Sequence, residues 1–255
     1  MNLQGRIELT GELRSASQIA RVVTEDWCKR EMYCAACDAE RLRRMHSHSR
    51  ACDFTCETCQ ERFELKSSRH PFGNRILDSA YKTMITAIQS DRTPNLLLMQ
   101  YSSSFTVVNL FMVSRYFFSQ SAVEERPPLG PGARRSGWVG CNIRLDRISS
   151  DGKIGIVTDG IELPRTEVRA HFQQTKALGQ LRVPERGWTV DVLTAVRGLG
   201  RKEFTLDDAY SRGSYLAKLH PNNRHIREKI RQQLQVIRDL GFVQFLGGGR
   251  YRFRE

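Results

Sequence analysis

Four cysteines and a set of acid and amine side chains lie interleaved within 33 residues. Cys34 and Cys37 come first, then Asp53, then Cys56 and Cys59, then Glu64-Leu65-Lys66. Two CxxC pairs with 18 residues between them fit a Zn²⁺ site, each pair bringing two sulfur ligands to one tetrahedral ion. A closed set of four thiolates leaves no open coordination position, so the zinc is expected to be structural. His46 and His48, between the pairs, are alternative ligands. Asp53, Glu64 and Lys66 point to a different chemistry. Hydrolysing a phosphodiester needs a nucleophilic water and neutralisation of the charge that builds on the phosphate. Carboxylates that hold Mg²⁺ beside that phosphate provide for both. In Phe63-Glu64-Leu65-Lys66 the two-residue period of a strand puts Glu64 and Lys66 on one face and Phe63 and Leu65 on the other. Lys66 is then placed to hold the attacking water or to stabilise the transition state. Taken alone, this acid and lysine spacing also fits an ordinary charged hairpin. Glu25, in the preceding segment, is a further candidate acid.

Residues 14–31 are expected to be helical, with Ile19, Val22, Val23 and Trp27 at helical spacing. A second helix is expected over 75–90, with Ile76, Ala80, Met84, Ala87 and Ile88 on its apolar stripe and Pro94 stopping it. Asn95 to Tyr101 and Phe105 to Val113 are apolar, β-prone runs that read as buried strands. Helix, acidic hairpin, helix and strands in that order suggest an α/β sandwich. Residues 124–137 carry three prolines and several glycines and read as irregular.

At 255 residues the chain accommodates one large domain or two ordinary ones. Its net charge of +12 calls for a polyanionic partner, nucleic acid first and an anionic membrane surface second. No run of about 20 apolar residues is present, so no transmembrane helix is expected. Met1 to Arg6 lacks an apolar signal core, and Cys28, Cys52 and Cys141 stand alone, so a reducing cytoplasm suits the chain. No obligate protein partner is evident. Residues 181–255 hold 15 Lys and Arg against 8 Asp and Glu, a net of +7 out of the +12. A boundary is expected at 182/183. Beyond it, helices are expected over Trp188 to Arg197, from Thr205 with a capping pattern to Asp208, and from after Asn223 to Leu240. A hairpin about Gly247-Gly248-Gly249 follows. Three helices and a hairpin make the order of a winged helix-turn-helix. In the third helix Ile226, Ile230, Leu234 and Ile237 form an apolar stripe, and Arg224, Arg227, Arg231 and Arg238 fall within about 60° on another face. That distribution suits a DNA major groove. In the last strand Arg250, Arg252 and Arg254 alternate with inward-packing Tyr251 and Phe253, so the arginines can track phosphates.

The acid and lysine segment resembles the PD-(D/E)XK nuclease superfamily, and the whole chain resembles the DpnI-like methyl-directed restriction endonucleases. The likeness is carried by Thr24-Glu25-Asp26-Trp27, the four cysteines, Asp53-Phe54, Phe63 to Lys66, Ala133-Arg134-Arg135, Gly137-Trp138, Gly140 to Ile143, Arg186 to Thr189, Glu203 to Leu206 and Ile226 to Arg238. Cys52 stands where the superfamily motif has a proline before the aspartate. The resemblance implies an α/β PD-(D/E)XK catalytic domain over 1–182 with a four-cysteine zinc-binding insert, and a winged helix over 183–255. It implies a type II, Mg²⁺-dependent double-strand cut of duplex DNA carrying N6-methyladenine in Gm6ATC. Asp53, Glu64 and Lys66 would be the catalytic set, Asp53 and Glu64 the magnesium ligands, and the winged helix a second reader of the methylated site. Burying one methyl is worth about 0.8 kcal/mol, roughly fourfold in binding, so strict methyl dependence needs more than one apolar contact. Trp138, with Arg134 and Arg135 in its loop, is the candidate reader in the first domain. Trp188 and His225 are candidates in the second. DNA contacts are expected from Arg224, His225, Arg227, Arg231, Arg250 and Arg252. Two rivals remain: a zinc-containing winged-helix regulator without catalysis, and a repair nuclease indifferent to methylation. Glu64 and Lys66 on one strand face speak against the regulator.

Overall fold

Residues 1–45 and 52–254 are described by the computed structural model; His46 and His48 lie outside them. In chain order the strands are β1 (Arg43–Arg44), β2 (Phe54–Thr55), β3 (Arg62–Ser68), β4 (Arg75–Ala80), β5 (Asn95–Tyr101), β6 (Val107–Val113), β7 (Val123–Glu125), β8 (Gly140–Arg144), β9 (Lys153–Thr158), β10 (Ile161–Glu162), β11 (Glu203–Thr205), β12 (Val243–Gly247) and β13 (Arg250–Phe253). The helices are α1 (Ala16–Glu31), α2 (Tyr81–Gln89), α3 (Arg165–Lys176), α4 (Val183–Arg197), α5 (Leu206–Ser211), α6 (Gly213–Leu219) and α7 (Ile226–Asp239).

The chain forms two compact units. The first comprises residues 1–73, 93–115 and 152–175. Its sheet has seven strands in the order β1-β2-β3-β5-β6-β9-β10. Only the central β3–β5 pair is parallel. Leu96, Leu97, Leu98 and Met99 of β5 are all buried, the continuous apolar run expected of a strand covered on both faces. Along α1, Val23, Trp27 and Cys28 are buried, and the Trp27 indole N–H donates to the Asn2 carbonyl at 2.8 Å. The helix therefore ties down the N-terminal segment as well as covering the sheet.

The second unit comprises residues 74–92, 116–151 and 176–255. Packing thus joins two stretches that chain order assigns to the first domain to the C-terminal helices. The reason is a small antiparallel sheet, β4-β8-β7, with α2 running out of β4. Within this unit Arg186 of α4 is buried and pairs with Asp91 just beyond α2, at 2.5 Å. The expected helix over 75–90 is corrected here: residues 75–80 are β4, registered with Arg144 to Gly140, and α2 starts at Tyr81. Arg75 to Asp78 alternates in burial, and ladder bonds to β8 outweigh the helical spacing of Ile76 and Ala80.

The C-terminal elements make a winged helix: α4, α5, α6 and α7, with β11-β13-β12 as its sheet. Thr205 caps α5 in a reciprocal capping box with Asp208. Ile230, Leu234 and Ile237 of α7 are fully buried. Gly247, Gly248 and Gly249 all take positive φ, which the hairpin turn requires and a side chain would resist. Three boundaries differ from expectation. The first helix begins at Val183, because Pro184 is well suited to a first turn. The second breaks into α5 and α6 at Arg212. The third begins at Ile226, so Arg224 precedes it and the arginine stripe on the helix itself is Arg227, Arg231 and Arg238.

Candidate active site

Asp53, just before β2, faces the stretch of β3 that carries Glu64 and Lys66; β2 and β3 are the second and third strands of the large sheet. The β2–β3 register pairs Phe54 with Phe63 and Thr55 with Arg62, which brings Asp53, the residue before β2, alongside β3. The Asp53 backbone stays in the ladder, its N–H donating to the Phe63 carbonyl at 3.0 Å. Its carboxylate turns in to accept the Leu65 N–H at 2.8 Å. One residue further on, the Lys66 ammonium stands 2.6 Å from Glu64 Oε1. The alternation of β3 therefore presents Glu64 and Lys66 side by side, as the period requires.

A third carboxylate belongs to this neighbourhood. Glu25 of α1 is buried, and Arg21 Nε donates to it at 2.7 Å while Arg44 of β1 also pairs with it. Burial pushes the Asp53 carboxyl above its ordinary range; the Leu65 N–H opposes this, the charge of Glu25 adds to it, and Lys66 and Arg21 oppose it. A buried carboxyl held upward by a neighbouring carboxylate favours a nearby cation. The donor set of Asp53 and Glu64 fits a hard divalent ion such as Mg²⁺, which prefers carboxylate oxygens. Beside the site, Arg21, Glu25, Leu65, Ser67 and Tyr101 line a hollow of about 360 Å³. Arg21 was readable in principle as the i, i+4 partner of Glu25. Arg44 was not, because its approach depends on β1 pairing with β2.

The sulfur atoms of Cys34, Cys37, Cys56 and Cys59 all lie within 4.8 Å of one another. Cys34 and Cys59 are 3.6 Å apart and Cys37 and Cys56 3.5 Å. Sulfurs at about 2.3 Å from one tetrahedral zinc would be roughly 3.8 Å apart, so the cluster fits the ion. Local turns prepare it. The Ala36 N–H points at Cys34 Sγ at 3.3 Å, and the second turn closes through Gln60, which takes positive φ to return its N–H to the Cys56 carbonyl. Helix α3 holds the first turn from outside: Arg169 donates to the Cys34 carbonyl and Gln173 to the Ala36 carbonyl. No pattern in the sequence marks those two residues as supports.

The DNA-reading candidates are all on the second unit. Arg134 and Arg135 are exposed in the loop between β7 and β8. The Arg135 guanidinium lies over the Trp138 ring at 4.7 Å, and Trp138 is half-buried with its ring against Gly140. A side chain at Gly140 would collide with that ring, so the glycine gives the tryptophan its place. The loop is closed by the Gly137 N–H to the Leu129 carbonyl at 2.9 Å and the Leu129 N–H to the Trp138 carbonyl at 3.0 Å. On the winged helix, Arg224, His225, Arg227, Arg231, Arg250 and Arg252 are exposed. Arg227 stacks over Tyr210 at 4.1 Å, and Arg252 pairs with Glu203 on the neighbouring strand at 2.7 Å. Tyr251 and Phe253 pack inward as expected. Trp188 stacks on His220 at 3.5 Å, and His220 bonds the buried Asp191, so Trp188 is engaged within its own unit. Asn223 before α7, and Lys229 and Gln232 in its first half, line a hollow of about 560 Å³ with Arg224 and His225; these polar residues carried no spacing signal.

A basic winged helix follows, in one chain, an α/β unit that holds a four-cysteine cluster able to bind zinc, and the comparisons with known families place this combination in the restriction-endonuclease class. Residues 1–181 match the model of DpnI, the Dam-replacing family, and residues 184–253 match DpnI_C, the Dam-replacing HTH domain. The chain belongs to the DpnI family and is a methyl-directed restriction endonuclease that binds DNA. No helix among the described residues is long and apolar enough to cross a membrane.

Proposed function

We propose that the chain cuts both strands of duplex DNA at Gm6ATC by Mg²⁺-dependent hydrolysis, as a type II PD-(D/E)XK enzyme. The observation that carries the reading is the Asp53 carboxylate held by the N–H of Leu65, the residue between Glu64 and Lys66, with the Lys66 ammonium 2.6 Å from Glu64. Asp53 and Glu64 would hold the ion. When bound, it supplies charge neutralisation at the phosphate and a more acidic water. The Leu65 N–H fixes the Asp53 carboxylate in one orientation. Lys66 holds the attacking water or meets the charge that develops on the phosphate oxygens. Glu25, held by Arg21 and Arg44, would be a third carboxylate beside Asp53. The four cysteines would hold a structural Zn²⁺ that braces the β2–β3 hairpin from its turn. The functional boundary is placed at 182/183, which the ends of the two family matches support. Trp138 with Arg134 and Arg135 would be one reader of the methylated site. Arg227, Arg231 and Arg250, with Arg224, His225 and Arg252, would be the other.

Plasmid prepared from adenine-methylating and non-methylating hosts tests this, with Mg²⁺ and then with EDTA. The expected result is linear product only from methylated plasmid and only with Mg²⁺. Shifted but uncut DNA would favour a regulator, and equal cutting of both plasmids a nuclease without methyl dependence.

A further inference from the structure

A cleft of about 780 Å³ opens on the first unit beside the C-terminal end of α1 and the β1 edge. Its lining contains six cations, Arg6, Lys29, Arg30, Arg41, Arg43 and Arg44. Against them stand two carboxylates, Glu31 and Glu57, leaving +4. Most of the paired charges are accounted for within the fold. Arg30 bonds Asp26 and Glu31, Arg43 reaches Glu57 at 3.3 Å, and Arg44 pairs with Glu25. Arg6, Lys29 and Arg41 are exposed and have no acidic partner among the described residues. Three unpaired cations converging on a concave surface repel one another, a cost that a bound polyanion removes. One ion pair links the cleft to the candidate active site. Arg44 lines the cleft while its guanidinium pairs with Glu25, and Glu25 is the carboxylate whose charge acts on Asp53.

We propose that this cleft is a track for the DNA backbone outside the recognition sequence, in which Arg6, Lys29 and Arg41 contact phosphates of the flank beyond the cut. Resting on the nuclease reading, the inference adds a contact that neither Trp138 nor α7 supplies. Contacts of this kind carry no sequence information; they add affinity that depends on duplex length and falls with salt.

The test compares the unaltered full-length, zinc-loaded chain with the triple variant Arg6→Gln, Lys29→Gln, Arg41→Gln. Binding is measured from about 50 to 200 mM salt on a methylated duplex barely longer than the site and on a roughly 30-base-pair duplex with the same centre. The unaltered chain is expected to bind the longer duplex at least about tenfold more tightly. The variant should lose that advantage and reduce the slope of log affinity against log salt by about 3, while binding the short duplex unchanged. Identical slopes for the two proteins on the long duplex, or an equal loss on both lengths, would overturn the proposal. So would a variant that keeps its DNA binding but no longer binds vesicles rich in phosphatidylserine, which would assign the cleft to a membrane surface. Should the triple variant not fold, Lys29→Gln and Arg41→Gln singly are each expected to lower the slope by about 1. A chain that shows the length dependence yet never cuts methylated DNA would sink the nuclease reading and leave the cleft standing.

Discussion

At the scale of single residues, the candidate site rests on two short distances. Lys66 lies 2.6 Å from Glu64, and the Asp53 carboxylate is held at 2.8 Å by the Leu65 N–H. Lys66→Ala is expected to lower cleavage of methylated plasmid by at least about 100-fold while leaving the mobility shift of the same DNA intact. Full activity in that variant would remove Lys66 from the proposed catalytic set. Metal binding offers a separate check. Adding Mg²⁺ to zinc-loaded protein in Mg²⁺-free buffer is expected to raise its melting temperature through binding to the folded state, and Asp53→Asn should abolish that rise. The pairing of Glu64 with Lys66 was legible because a strand's period is fixed. The clamp of Arg21 and Arg44 on Glu25 was only half legible, since one partner is four residues away on a helix and the other comes from a strand whose pairing no local pattern reveals.

At the scale of elements, the cysteine module and the β4-β8-β7 sheet are what hold the candidate sites in place. The four thiols lie within bonding distance of one ion, and zinc affinity in such sites is large enough to decide whether the module folds. Cys56→Ser is therefore expected to give protein with no bound zinc, early melting and no cleavage; a soluble, zinc-free and active variant would contradict the structural role. The sheet under the Trp138 loop is pinned by Glu124, which takes Arg75 at 2.9 Å, Asn142 at 2.9 Å and Arg144 at 2.7 Å. Hydrogen bonds from Arg75 first, then from Asn142 and Arg144, hold the Glu124 carboxyl down at about 2. A carboxyl whose pKa is lower folded than unfolded stabilises the fold above its unfolded value and loses that contribution as pH falls. Glu124→Gln is expected to melt earlier than the unaltered chain at about pH 6–8, with the gap closing between about pH 4.5 and about pH 2. A gap independent of pH would show that the ion pairs carry none of it. None of the three strands of this sheet was legible: β7 overlaps the stretch 124–137 that reads as irregular, β8 carries no strand signal that was read, and 75–80 reads as helix. Ile76 and Ala80 keep helical spacing with Met84, and only the pairing with residues 140–144, far along the chain, turns that stretch into a strand.

At the scale of the molecule, the second compact unit holds 24 Lys and Arg against 14 Asp and Glu, a net of +10 out of the +12, and the order of the chain hides how the units are composed. The winged helix was readable because helices, cap, glycine turn and hairpin are all local features. The grouping of residues 116–151 with those helices was not, because it arises from packing between segments far apart in sequence. Methyl reading belongs to this scale too, since one methyl contact gives only roughly fourfold discrimination. Trp138→Ala is expected to reduce the ratio of cleavage on methylated and unmethylated DNA by at least about fourfold, with its melting temperature unchanged. An unaltered ratio would remove Trp138 from the reading of the methyl group. The most direct test of the whole account is anomalous diffraction from crystals of the protein soaked with Mn²⁺ as a stand-in for magnesium. One manganese peak is expected at Asp53 and Glu64, and a separate zinc peak among Cys34, Cys37, Cys56 and Cys59. Manganese absent from Asp53 and Glu64 at saturating concentration, or bound only elsewhere on the chain, would contradict the account.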